Sequence, residues 1–285
     1  MRAWIRQHQL LTFFLLAYAL SWAYWVPMVV MGLRIAPGSS TTHFPGLLGP
    51  AIAAFLTPLL AGDYAAIKAL ARRLTHITAP RWLFWLCGLS PLLFLLVALL
   101  IANASDAGMP ALGDFSSYSG LPRMRLPALL ALVLLFNGFG EETGWRGFAL
   151  PRLQARFGPL AGTLVLAVLW AGWHAPTFFI VETYRSMTPL LLVFGFGLGI
   201  VCGAIVLSHV AHLTGGSVLA AALWHAGYNM TAATAASQGL VVAVTTTCVM
   251  AWAATVLLAE LRRSRAESLL QVELVPQGTR YIHHR

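Results

Sequence analysis

The feature that most constrains this chain is a succession of long apolar runs, broken at intervals by arginines. A helix needs about 20 apolar residues to cross the hydrocarbon of a bilayer, and its backbone amides must be satisfied inside the segment. Eight runs approach or exceed that length: 10–32, 44–66, 82–104, 125–146, 160–180, 189–208, 217–231 and 240–261. The seventh is the shortest. Arg2 and Arg6 precede the first run as they would in a signal peptide, but the apolar stretch continues to Gly32. That exceeds a signal's apolar core, so the run reads as a span. Of the 285 residues 59% are hydrophobic and 9% charged, with a mean hydropathy of +0.76. An average soluble domain carries about a quarter charged residues. The expected fold is therefore all-α, a polytopic transmembrane bundle of about eight spans. It forms a single membrane domain over 1–285 in a cell membrane (inner or plasma), with the lipid bilayer as its first partner.

Charge placement gives the orientation. The net charge of +9 does not indicate a nucleic-acid partner, because only Lys68 is a lysine and the arginines lie mostly between apolar runs. Short loops rich in Lys and Arg stay in the cytoplasm. Arg2 and Arg6, then Lys68, Arg72, Arg73 and Arg81, then Arg152 and Arg156, then Arg262, Arg263 and Arg265 fall on one side if eight spans alternate. The opposite side receives Asp106, Asp114, Glu182 and a few arginines. The topology expected is N-in and C-in, with 262–285 a short solvated cytoplasmic tail. Cys87, Cys202 and Cys248 lack CxxC spacing and read as small buried thiols. Gly195, Gly199 and Gly203 repeat at i, i+4, a spacing that lets a neighbouring helix approach closely.

Against this background "NGFGEETGWRGF", residues 137–148, stands out. An ionisable group in hydrocarbon costs about 2.5–3.5 kcal/mol on insertion scales and marks a functional candidate whose partner should be named. Glu142 and Arg146 are i, i+4 and share a helix face, which allows a buried ion pair. Glu141 is turned by about 100° from Glu142 and faces elsewhere. The adjacent carboxylates therefore have different tasks: Glu142 is held by Arg146, and Glu141 is free for a cavity. Most histidines, including His8, His43, His76, His283 and His284, fall in termini or connections and read as solvated; His209 and His212 read as membrane-surface groups. His174 and His225 lie inside apolar runs. If the fourth and fifth runs form an antiparallel pair turning at Phe157–Gly158, Glu141 and His174 lie 16 residues from the turn on either arm. Both then sit at similar depth, about 24 Å along each helix. Trp170 shares a face with His174, and Asn229 with His225. Pro176 should loosen the helix just past His174. Such a group can hydrolyse an amide: Glu141 as general base on water, His174 orienting that water or moving its proton, His225 and Asn229 donating to the oxyanion.

At these residues the sequence resembles the CAAX protease and bacteriocin-processing family of intramembrane glutamic endopeptidases, which includes the type II CAAX prenyl endopeptidase. The family's EExxxR is matched by Glu141, Glu142 and Arg146. Its aromatic-xxx-His, usually with phenylalanine, is matched by Trp170 and His174, and its His-xxx-Asn by His225 and Asn229. The resemblance covers 129–230, reads like the bacterial branch, and implies the same roles. It also implies a membrane-associated peptide or protein substrate and no cofactor. The position of Trp170 is expected to need only a large aromatic ring.

Other classes fit less well. A zinc protease using Glu141, His174 and His225 is the runner-up, but HExxH is absent. A rhomboid-like serine protease lacks its Gly-x-Ser-x-Gly-type signature, and a presenilin-like aspartyl protease needs a second intramembrane aspartate beside Asp63. A non-hydrolytic immunity or scaffold protein would keep the fold without the chemistry. A proton-coupled transporter would show an inverted repeat, which the chain does not.

Overall fold

The computed structural model describes residues 1–105, 108–263 and 267–272; Asp106, Arg265, His283 and His284 lie outside them. We number eight principal helices: α1 Gln9–Val30, α2 Phe44–Ala61, α3 Arg81–Ala104, α4 Leu126–Phe157, α5 Pro159–Trp173, α6 Leu191–Leu213, α7 Val218–Ala232 and α8 Gly239–Glu260. Among the described residues there is no strand, only isolated bridges between loops. The chain is an all-α, multi-pass membrane bundle.

Six of the eight helices are long and apolar enough to cross a membrane, namely α1, α2, α3, α4, α6 and α8. Helices α5 and α7 have 15 residues each, about 22 Å of rise against a hydrocarbon thickness of about 30 Å. The expected count of eight full spans is thus reached only by six. The fifth run breaks where proline was expected to loosen it. Helix α5 stops at Trp173, His174 caps it, and a separate turn Thr177–Ile180 follows Pro176. The turn between α4 and α5 falls at Gly158, whose φ of 92° reverses the chain directly into Pro159.

Contacts define two different ends. At the arginine-rich end, Arg6 Nε donates to the Ala61 carbonyl at 2.7 Å, and Arg152 Nε donates to Gln9 Oε1 at 3.1 Å. There the start of α1 meets the ends of α2 and α4. At the opposite end the connecting loops hydrogen-bond to one another. Ile35 N donates to Ile180 O, Gly38 N to Tyr118 O, Ser119 N to Ala233 O and Ala235 N to Ser117 O, all at 2.8–2.9 Å. These satisfied backbone groups let irregular chain sit close over the bundle.

Two expectations are revised. The tail is not wholly solvated: Leu270 and Val272 are buried, and Gln154 Nε2 donates to Leu270 O while Gln154 Oε1 accepts from Val272 N. His209 and His212 hold the same stretch through Nδ1 on the Leu269 and Gln271 carbonyls. They are clamps for residues 267–272 rather than plain surface groups. The glycine repeat on α6 does not seat a helix either. A Cβ added at Gly195 or Gly199 would meet nothing within 4 Å, and all three glycines line a cavity.

Candidate active site

Helix α4 carries the acidic pair on an interrupted helix. Two π-helical segments, Leu134–Phe139 and Trp145–Ala149, flank the single α-helical stretch Gly140–Gly144. π-Turns cluster at functional positions because they rotate side chains out of the regular repeat. They also leave carbonyls without their usual partner. Arg73, at the end of the short helix Tyr64–Arg73, supplies donors there. Its guanidinium bonds the Gly147 carbonyl at 2.7 Å, the Arg146 carbonyl at 3.1 Å and the Gly216 carbonyl at 2.7 Å. Burial lowers the Arg73 pKa to about 10, still high enough to keep it a cation. The glycines of the motif allow close packing. A Cβ at Gly144 would fall 2.5 Å from the Cβ of Pro50 and 2.7 Å from its carbonyl oxygen.

The two glutamates diverge as helical spacing requires. Glu142 and Arg146 are fully buried and paired at 2.9 Å. The same Glu142 oxygen lies 2.7 Å from His225 Nδ1, so a carboxylate there accepts from both groups. The His225 link was not expected. With Nδ1 donating to Glu142, His225 can also donate from Nε2 only as an imidazolium. Glu142 does not line the cavity, whereas Glu141, Trp170, His174, His225 and Asn229 all do. The cavity has a volume of about 450 Å³.

Glu141 is 2% exposed, and its Oε2 accepts a hydrogen bond from Trp170 Nε1 at 2.8 Å. This corrects the reading of Trp170 as a mere large aromatic, because phenylalanine has no donor. Trp170 joins the whole group. Its ring carries the Arg146 guanidinium 4.5 Å above its centroid and lies edge-on to His225 at 5.5 Å. That placement accounts for Arg146, whose Nε and Nη2 have no hydrogen-bond partner among the described residues. One turn later, His174 Nδ1 is 2.8 Å from the Trp170 carbonyl. A carbonyl only accepts, so Nδ1 holds the proton and Nε2 keeps a lone pair when the ring is neutral. The bond from Glu141 to Trp170, one turn before His174, agrees with the equal depth expected of Glu141 and His174.

Three cavity residues have no motif to announce them. Tyr118 comes from the loop before α4, is 2% exposed, interacts with Asn229 and donates to Asn137 Oδ1 at a long 3.5 Å. Burial pushes its hydroxyl well above the ordinary phenol range, so it remains a donor. His43, expected to be solvated, lines the cavity instead, and burial lowers its pKa to about 4. Its Nδ1 and the Ser119 Oγ are buried without a partner among the described residues. No local pattern could place them: each is set by loop packing on the far side of the fold. Among the described residues no three or more His, Cys, Asp or Glu side chains are grouped to hold a metal ion.

A buried glutamate, paired histidines and an asparagine around one intramembrane cavity define a class of membrane proteins with a polar site inside the bundle. Comparison with known proteins agrees with the motifs. Residues 123–231 match the model of the family described as Type II CAAX prenyl endopeptidase Rce1-like. A curated relative, CAAX prenyl protease 2 of Methanococcus maripaludis, is 29% identical over 99 residues. The match covers 33% of this chain and 36% of that relative, so the similarity spans about a third of each protein. The resemblance to the CAAX protease family holds over the segment that carries the three motifs.

Proposed function

We propose that this protein is an intramembrane endopeptidase that hydrolyses a peptide bond in a membrane-associated polypeptide with water activated by Glu141. The observation that carries the reading is the separation of the two glutamates: Glu142 is consumed by Arg146 and His225, while Glu141 faces the cavity. On this account Glu141 removes a proton from water, and His174 Nε2 aligns that water or passes its proton to the leaving amine. As the carbonyl carbon becomes tetrahedral, its oxygen gains negative charge. His225, held by Glu142, and Asn229, on the same face of α7, donate to that oxygen. Glu142, Arg146 and Trp170 keep the group in register. The match to the Rce1-like family and the printed name of the curated relative support peptide-bond cleavage as the reaction class.

We take the mechanism to be metal-independent. Support comes from the side chains themselves, since Glu142 already occupies Nδ1 of His225 and Trp170 occupies one oxygen of Glu141. The test compares the membrane peptides of cells carrying the parent protein or Glu141→Gln. Uncleaved membrane polypeptides should accumulate with Glu141→Gln, and a chelator should not reproduce the effect. Full cellular function in Glu141→Gln would favour a non-hydrolytic scaffold. Stoichiometric zinc, with loss of cleavage on chelation, would replace the metal-free mechanism.

A further inference from the structure

The arginine-rich end holds a second cavity, apart from the site around Glu141. It has a volume of about 350 Å³ and lies where the chain breaks at His8, between the short helix Arg2–Gln7 and α1. Arg6 lines it from before that break, and Arg152 and Arg156 line it from the last turns of α4. A guanidinium carries five N–H donors, and most of these are unused. Arg152 directs Nε to Gln9 Oε1 and Nη1 to the Phe148 carbonyl. Arg6 directs Nε to the Ala61 carbonyl, with a long 3.5 Å bond from Nη2 to Gly62 O. Arg156 makes no hydrogen bond among the described residues and stands 5.2 Å from the Phe157 ring centroid. No carboxylate among the described residues forms an ion pair with any of the three; the ion pairs there are those of Glu142. Asp63 acts on Arg152 without pairing with it, and its Oδ1 accepts from Ala66 N instead.

Three unpaired cations around one cavity call for an anion, and the surroundings say which kind. Leu10 and Leu11, where the apolar run of α1 begins, line the same cavity, and Leu11 is exposed. Trp4, Tyr64 and Trp82 are exposed at the same end, and such rings collect at the membrane–water boundary. The cavity therefore sits at headgroup level, with cations and leucines in one lining. We propose that it binds the phosphodiester of an anionic phospholipid, with the guanidiniums of Arg6, Arg152 and Arg156 on the phosphate and an acyl chain along Leu10 and Leu11. Arginine matches phosphate through paired N–H groups, and basic pockets beside membrane helices take anionic headgroups. A zwitterionic headgroup would bring its own ammonium against three guanidiniums. A free phosphate would leave the leucines without a partner. Bound there, the lipid bridges the start of α1 and the end of α4, so it stabilises the fold. The site is independent of the chemistry proposed for Glu141.

The test uses the purified full-length protein in mild detergent, washed free of co-purified lipid. Thermal unfolding is followed as phosphatidylglycerol, phosphatidylcholine with the same chains, or inorganic phosphate is added. Phosphatidylglycerol at about ten times its Kd should raise the melting temperature by about 2–4 °C, and the other two should leave it unchanged. Native mass spectrometry then gives the lipid affinity of two variants. Arg156→Gln, which breaks no hydrogen bond, should weaken phosphatidylglycerol binding about tenfold. Arg72→Gln removes an arginine of the same end that lies outside the cavity, and binding should stay close to parental. Unweakened binding in Arg156→Gln, or equal losses in both variants, would overturn the site in favour of diffuse attraction to the whole end. Phosphatidylglycerol binding no tighter than phosphatidylcholine would overturn it as well. A shift with inorganic phosphate equal to that with phosphatidylglycerol would overturn the lipid assignment and leave a site for free phosphate.

Discussion

At the scale of single residues, the role of each buried charge follows from what it is bonded to. Glu142→Gln leaves the Arg146 guanidinium without a counter-charge in a fully buried position. Breaking a buried pair by removing one partner costs about 3–5 kcal/mol. A clear fall in melting temperature is expected, with loss of cleavage, and thermal unfolding of the purified variant measures it. Trp170→Phe keeps an aromatic ring against Arg146 and His225 but removes the N–H bonded to Glu141. A hydrogen bond to a charged group contributes about 1.5–3 kcal/mol, so cleavage should fall about 10- to 100-fold with the KM little changed. A fall confined to KM would show that Trp170 serves substrate binding instead. This residue also marks where sequence reading stopped. Spacing put Trp170 with His174 and His225 with Asn229 on shared faces, and Glu141 at the depth of His174, because helical geometry is local and regular. The indole bond and the His225–Glu142 bond were not legible, because they depend on how α4, α5 and α7 dock.

At the scale of elements, the apolar runs announced helices correctly, and Pro176 announced the end of α5. The π-segments of α4 were not announced. They arise where Gly138, Gly140 and Gly144 let α4 press against α2 and α7, and the freed carbonyls find donors on Arg73, 73 residues away from Arg146 in sequence. Sequence reading gave Arg73 a part in topology alone. Arg73→Ala should therefore lower the melting temperature much more than Arg72→Ala, whose side chain makes none of these bonds. Equal effects would show that the carbonyls find other donors. Gly144→Ala forces a methyl group against the Pro50 backbone. Overpacking of this kind costs about 1–3 kcal/mol, and the same unfolding measurement should record that loss.

At the scale of the whole molecule, composition and arginine placement were enough for a polytopic bundle with two unlike ends. The number of full spans was not, because a 15-residue helix in a bundle core can be as apolar as a short span in sequence. The cavity was also hidden. It exists because Gly195 and Gly199 of α6 face open space and because four loops close over one end, both properties of assembly. The central claim is that two adjacent glutamates divide the work of holding the bundle together and doing chemistry. Glu141→Gln tests it most directly, since the amide retains both the volume and an acceptor for Trp170 Nε1 but is no base. The decisive measurement is cleavage of the accumulating membrane polypeptide by Glu141→Gln protein that melts like the parent. A loss of about 10²-fold or more, the range of general-base catalysis, is predicted. Cleavage near the parental rate, or a melting temperature as low as that of Glu142→Gln, would contradict it.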